Sequence, residues 1–239
     1  MNRKVIVALD VSSREEALHL VEQLRDLVGM FKVGSQLFMA AGQSIVQEII
    51  ASGGHVFLDL KFHDIPNTVA QAVESAVHTG AWMINVHASG GVRMMQAAAK
   101  AGRETAARLG RPAPLLIAVT VLTSMDQPAL AQIGVQRPVL DHVVSLARLA
   151  EDAGLDGVVA SPLETARIRE ACGPQFVIVT PGIRGASANA TPDDQSRTMA
   201  PAEAIRAGAS YIVVGRPIIA AADPRAAAQA IADEVSRSA

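Results

Sequence analysis

The 239-residue sequence predicts a closed (β/α)8 barrel, and three observations carry that prediction. Eight short, near-continuously apolar runs alternate with amphipathic stretches, as parallel strands do when helices cover their outer face. The length suits eight such units in a single domain over residues 1–239. The turn after the first run, DVSSREE, has no glycine, whereas an open doubly wound sheet usually carries a Gly-rich phosphate loop there.

The eight candidate strands are VIVALD (5–10), MFKVG (30–34), HVFLDL (55–60), MINVHA (83–88), LLIAVTV (115–121), GVVAS (157–161), FVIVTP (176–181) and YIVVGR (211–216). Helical stretches fill the gaps. Ser12 and Ser13 each precede a glutamate by three residues (Glu15, Glu16), so either begins a capping box. Ala17, Leu20, Val21, Leu24, Leu27 and Val28 then follow on one helical face. Gly53–Gly54, Gly80, Gly154 and Gly208 stand before later strands, where left-handed C-caps turn a helix into the next strand. Met39, Met94 and Met95 read as core filler.

Composition narrows the function classes. Half the residues are apolar and only 3% aromatic, and the formal net charge is −2. Lysines and arginines are scattered, without the basic run or aromatic platform of a nucleic-acid binder. The lone cysteine, Cys172, excludes an internal disulfide, fits a reducing compartment and reads as inert. The apolar stretch before Asp10 is too short for a signal-peptide core, and no run reaches membrane-spanning length. The expectation is a soluble, cytoplasmic protein with no membrane partner.

The chemistry concentrates in DLKFHDIPNT (59–68). Alternation along an extended strand puts Asp59 and Lys61 on one face and Leu60 on the other. Opposite charges inside a barrel are costly unless paired, so an interior cluster of this kind points to chemistry. Asp64 follows as the strand breaks into a Pro-containing turn. In such barrels functional groups gather at the C-terminal strand ends. Asp10 ends the first strand and Lys32 lies in the second, which makes a ring of alternating charge over three neighbouring strands.

A second feature lies across the barrel. The seventh strand leaves through TPGIRG (180–185) and the eighth through VVGRP (213–217), where barrels often hold a phosphate. Glycine there admits close backbone N–H approach, and Arg184 or Arg216 offers bidentate hydrogen bonds. Between Arg184 and Arg197, GASANATPDDQS is long for a βα connection and reads as a lid. The six histidines show no metal-ligand spacing; His63 reads as structural or solvent-facing, and His87 as a supporting residue.

With the barrel, DxKxxD and both Gly/Arg turns, the sequence resembles the bacterial orotidine 5′-phosphate decarboxylases from VALD to VVGRP. The extension HDIPNT separates it from sugar-phosphate decarboxylases and hexulose-phosphate synthases that share DxKxxD. The resemblance implies conversion of orotidine 5′-monophosphate to uridine 5′-monophosphate and CO2 with no metal or organic cofactor. It implies Lys61 as proton donor, Asp59 against the substrate carboxylate, Asp10 at the ribose and Lys32 at its hydroxyls, paired to the carboxylates. Thr123 matches a pyrimidine contact, with Ser124 as the alternative, and Pro181 belongs to the same wall. Arg184, Gln195, Gly215 and Arg216 match the phosphate contacts. Asp64 and Thr68 would reach the other subunit's site, which implies a homodimer. Two other readings compete: a magnesium-dependent sugar-phosphate decarboxylase or aldolase of the same barrel group, and a non-catalytic nucleotide-binding regulator.

Overall fold

The computed structural model describes residues 2–183 and 198–238. Its strands are β1 (Val5–Ala8), β2 (Met30–Gly34), β3 (His55–Phe62), β4 (Met83–His87), β5 (Leu115–Val119), β6 (Gly157–Val159), β7 (Val177–Thr180) and β8 (Tyr211–Val214). All pair in parallel with their sequence neighbours, and β8 pairs with β1 to close the ring. The architecture is a TIM barrel, with helices in the connections.

Two-residue alternation divides the core into two shells. Ile6, Ala8, Met30, Phe57, Met83, Ile117, Val179 and Val213 point inward and fill the barrel. Their sequence neighbours, among them Val5, Val7, Phe31, Val56, Leu58 and Ile84, pack outward under the helices. Continuing that parity past the inner apolar layer places Asp10, Lys32, Asp59 and Asn85 inward at the C-terminal mouth. The floor of the barrel is closed from the other side by Trp82, whose ring meets Tyr211 edge-on at 5.2 Å.

Most strands end a residue or two before the apolar runs do, because the chain splays into loops at the mouth. Pairing persists slightly beyond the regular ladder: Leu9 N–H donates to the Lys32 carbonyl at 3.0 Å. The first helix, Arg14–Leu24, is capped by Ser13, whose side chain accepts from Glu16 N–H, so Ser13 and not Ser12 begins it. It stops before Leu27 and Val28; Val28 is nevertheless buried, in the turn that leads to β2. Gly53, Gly80, Gly154 and Gly208 all take positive φ, as expected of helix-to-strand turns. Met94 and Met95 are buried, but Met39 is 82% exposed on the short helix Ser35–Ala41 and is not core filler. Leu37 is the one fully buried residue of that helix, and Phe38 and Ala41 pack partly against the core. No described helix is long and apolar enough to cross a membrane.

Candidate active site

The mouth of the barrel carries a row of alternating charges across β1, β2 and β3. Asp10 Oδ1 lies 2.9 Å from Lys32 Nζ, Lys32 Nζ 3.4 Å from Asp59 Oδ2, and Asp59 Oδ1 2.8 Å from Lys61 Nζ. The two central groups are buried, whereas half of the Asp10 side chain and a third of Lys61 reach solvent. Burial opposes the charge on Lys32, but attraction to Asp59 and then Asp10 outweighs it and holds the ammonium above its ordinary range. Gly34 keeps room for this pair, since a Cβ there would sit 3.0 Å from Lys32 Nζ.

Lys61 reaches its place through an irregular strand end. Leu58 pairs with Ile84 and Phe62 with Val86, so three residues of β3 face the single residue Asn85 of β4. Within this bulge Lys61 takes φ +53°, the one positive value at a non-glycine residue among those described. A left-handed L-residue costs about 1–2 kcal/mol, and such outliers gather at functional sites. The Asp59–Lys61 pairing expected from simple alternation is present, but a bulge and not a regular pleat delivers it.

Asn85 was not among the candidates read from the sequence. It is fully buried, its Nδ2 donates to Asp59 Oδ1 at 2.6 Å, and its Oδ1 accepts from Lys61 N–H at 2.8 Å. The signal was available: it is the only polar residue inside the run MINV and has the parity of the inward-facing Met83. His87, next on the same face, is half-buried beside His63, with ring centroids 5.4 Å apart. Burial, then repulsion from His63 and Lys61, lowers the His87 imidazole from its ordinary range.

The remaining candidates sort by position. Asp64 and Thr68 are exposed, and the Asp64 carboxylate accepts from Ile65 N–H at 2.6 Å instead of joining the row. Thr123 is half-buried after β5 and Ser124 exposed; Pro181 is half-buried after β7. Gly215 follows β8 with its Cα face toward Asp10, and exposed Arg216 begins the helix Arg216–Ile219. Arg184, Gln195 and the expected lid lie outside the described residues. No group of three or more His, Cys, Asp or Glu side chains among the described residues is arranged to hold a metal ion.

Comparison with known proteins decides among barrels that share this layout. Residues 3–231 match the model of the orotidine 5′-phosphate decarboxylase / HUMPS family. The chain belongs to this family. It is 58% identical over 233 residues to the orotidine 5′-phosphate decarboxylase of Moorella thermoacetica, covering 97% of this chain and 92% of that protein. The Trichlorobacter lovleyi enzyme of the same name is 52% identical, covering 97% and 95%. The crystal structure of orotidine 5′-phosphate decarboxylase from Lactobacillus acidophilus superposes with a TM-score of 0.85 at 39% identity, covering 98% and 99%.

Proposed function

We propose that Lys61 is the proton donor in the decarboxylation of orotidine 5′-phosphate, working in one barrel domain with Asp59 and Lys32 and with no metal or organic cofactor. The chain is an orotidine 5′-phosphate decarboxylase, a carboxy-lyase that forms uridine 5′-monophosphate and CO2 in pyrimidine biosynthesis. The observation that carries the residue assignment is the continuous row Asp10–Lys32–Asp59–Lys61. Loss of CO2 from C6 of the pyrimidine leaves an sp2 carbanion in the ring plane, with no adjacent carbonyl to take up the charge directly. An ammonium at C6 stabilises that charge as it develops and then delivers the proton. The carboxylates of Asp10 and Asp59 already face ammonium groups, an arrangement suited to orienting Lys61.

Asp59 would lie against the departing carboxylate. Two unit charges about 4 Å apart at an effective dielectric near 20 repel by about 4 kcal/mol. Enzymes lower barriers by roughly 8–23 kcal/mol, so repulsion supplies only a part. The preorganised row supplies the rest by meeting charge that appears only in the transition state. Asp10 and Lys32 hold the ribose, Thr123 and Pro181 the pyrimidine, and Arg184, Gln195, Gly215 and Arg216 the phosphate. Half-burial of Thr123 beside exposed Ser124 favours Thr123 as the ring contact. Phosphate binding spends remote binding energy on holding the ring.

The functional unit in this reading is a homodimer. Asp64 and Thr68 are exposed, Ile65 between them is 67% exposed, and the Asp64 carboxylate does not engage Lys61 of its own subunit. These features suit a segment that enters a second copy's site. Lys61→Ala tests the central role: turnover is lost while uridine 5′-monophosphate still binds. Unchanged turnover would remove Lys61 as the acid.

A further inference from the structure

We infer that Asn85 is a positioning residue that sets where the Lys61 ammonium and the Asp59 carboxylate stand relative to each other. The inference rests on the reading of Lys61 as proton donor and adds a residue from a different strand to the machinery. Three observations converge on it. The β3–β4 ladder loses its register between Leu58 and Phe62, leaving surplus β3 residues without backbone partners on β4. The Asn85 side chain occupies that gap and does the work of a missing peptide group: its carbonyl accepts from Lys61 N–H as a strand carbonyl would. Its amide N–H then fixes Asp59 Oδ1, the same oxygen that faces Lys61 Nζ.

One amide therefore ties both ends of the Asp59–Lys61 ion pair to β4. It holds the Lys61 backbone in the left-handed conformation that aims the side chain, and it fixes the carboxylate that receives it. Asparagine supplies an acceptor and a donor at once. Aspartate retains only the acceptor when ionised; alanine retains neither. Asn85 is fully buried below the charged row, so it acts on the reaction through these two residues and not through substrate.

The test compares wild type, Asn85→Ala and Asn85→Asp for kcat and KM with orotidine 5′-monophosphate, Kd for uridine 5′-monophosphate, and the pH profile of kcat. For Asn85→Ala we expect kcat to fall about 100-fold, about 2.7 kcal/mol of barrel-imposed positioning, with Kd for the product within about threefold of wild type. In Asn85→Asp the introduced carboxylate faces Asp59, and the two share a proton into a higher pH range. The acid limb of the kcat profile then moves to higher pH, an effect that a residue remote from the Asp59–Lys61 pair would not produce. If Asn85→Ala does not fold, the Asn85→Asp profile decides. Folded variants with wild-type kcat and an unmoved acid limb would overturn the inference, and so would a loss of kcat matched by an equal loss of product affinity. Unchanged turnover in Lys61→Ala would instead overturn the reading of Lys61.

Discussion

Replacing Asp59 by asparagine removes one charge from the middle of the row and leaves its shape. The carboxylate meets three donors: Lys61 Nζ at 2.8 Å and Asn85 Nδ2 at 2.6 Å on one oxygen, and Lys32 Nζ at 3.4 Å on the other. An asparagine amide must therefore point its NH2 at a donor whichever way it turns. At an effective dielectric near 20, the lost attractions are about 6 kcal/mol at 2.8 Å and about 5 kcal/mol at 3.4 Å. Desolvation offsets much of this, and removing one partner from a buried pair typically costs about 3–5 kcal/mol. Lys32 keeps Asp10 at 2.9 Å, which favours the lower end. A loss of about 3 kcal/mol lowers the melting temperature by roughly 6–12 °C in a domain of this size.

Turnover should suffer more distinctively than stability. Losing about 4 kcal/mol of repulsion against the substrate carboxylate lowers kcat about 1,000-fold. The same loss relieves ground-state strain, so substrate binds at least as tightly as in wild type. Steady-state kinetics, substrate binding under single-turnover conditions and thermal melts measure the three quantities. A kcat within tenfold of wild type, or substrate affinity that falls in step with kcat, would refute the role given to Asp59.

Three further outcomes follow from the geometry. Mixing inactive Lys61→Ala with inactive Asp64→Asn under subunit exchange should restore about a quarter of wild-type activity, because random assortment leaves one intact site in each heterodimer; no recovery despite verified exchange would refute the shared site. Arg216→Ala should chiefly weaken phosphorylated ligands, and a variant that keeps the wild-type preference for nucleotide over nucleoside would count against a phosphate role. Because the folded His87 imidazole is lowered by burial, its contribution to stability is complete above the unfolded value of about 6.5 and is lost as pH falls through the folded one. Melts at pH 8 and pH 5 should therefore converge in His87→Gln relative to wild type, and an equal acid penalty in both proteins would contradict the assignment.

What could be read from the sequence was whatever local rules fix. Eight apolar runs became eight strands because strand parity and helix cover act on adjacent residues. The inward places of Asp10, Lys32 and Asp59 followed from the same parity, continued to the strand ends. Features that need a neighbour were not legible. The bulge at Lys61 depends on the length of β4 opposite it, and neither strand alone announces a positive φ at a lysine. Asn85 acquires its meaning only when that gap is present to be filled. Met39 looked like core because its chemistry is apolar, yet its helix presents it to the outside. Asp64 stands apart from Lys61, and its carboxylate instead accepts from the adjacent Ile65 N–H, a local contact that the spacing of the motif does not reveal.

The most direct test of the central claim is to mix the purified protein with orotidine 5′-monophosphate in excess EDTA and follow the pyrimidine ultraviolet spectrum. Full conversion to uridine 5′-monophosphate is the predicted result, with the charged row working without a divalent ion. No conversion in EDTA, with turnover of a sugar phosphate restored by Mg2+, would contradict the account and recast Asp59 and Asp64 as metal ligands.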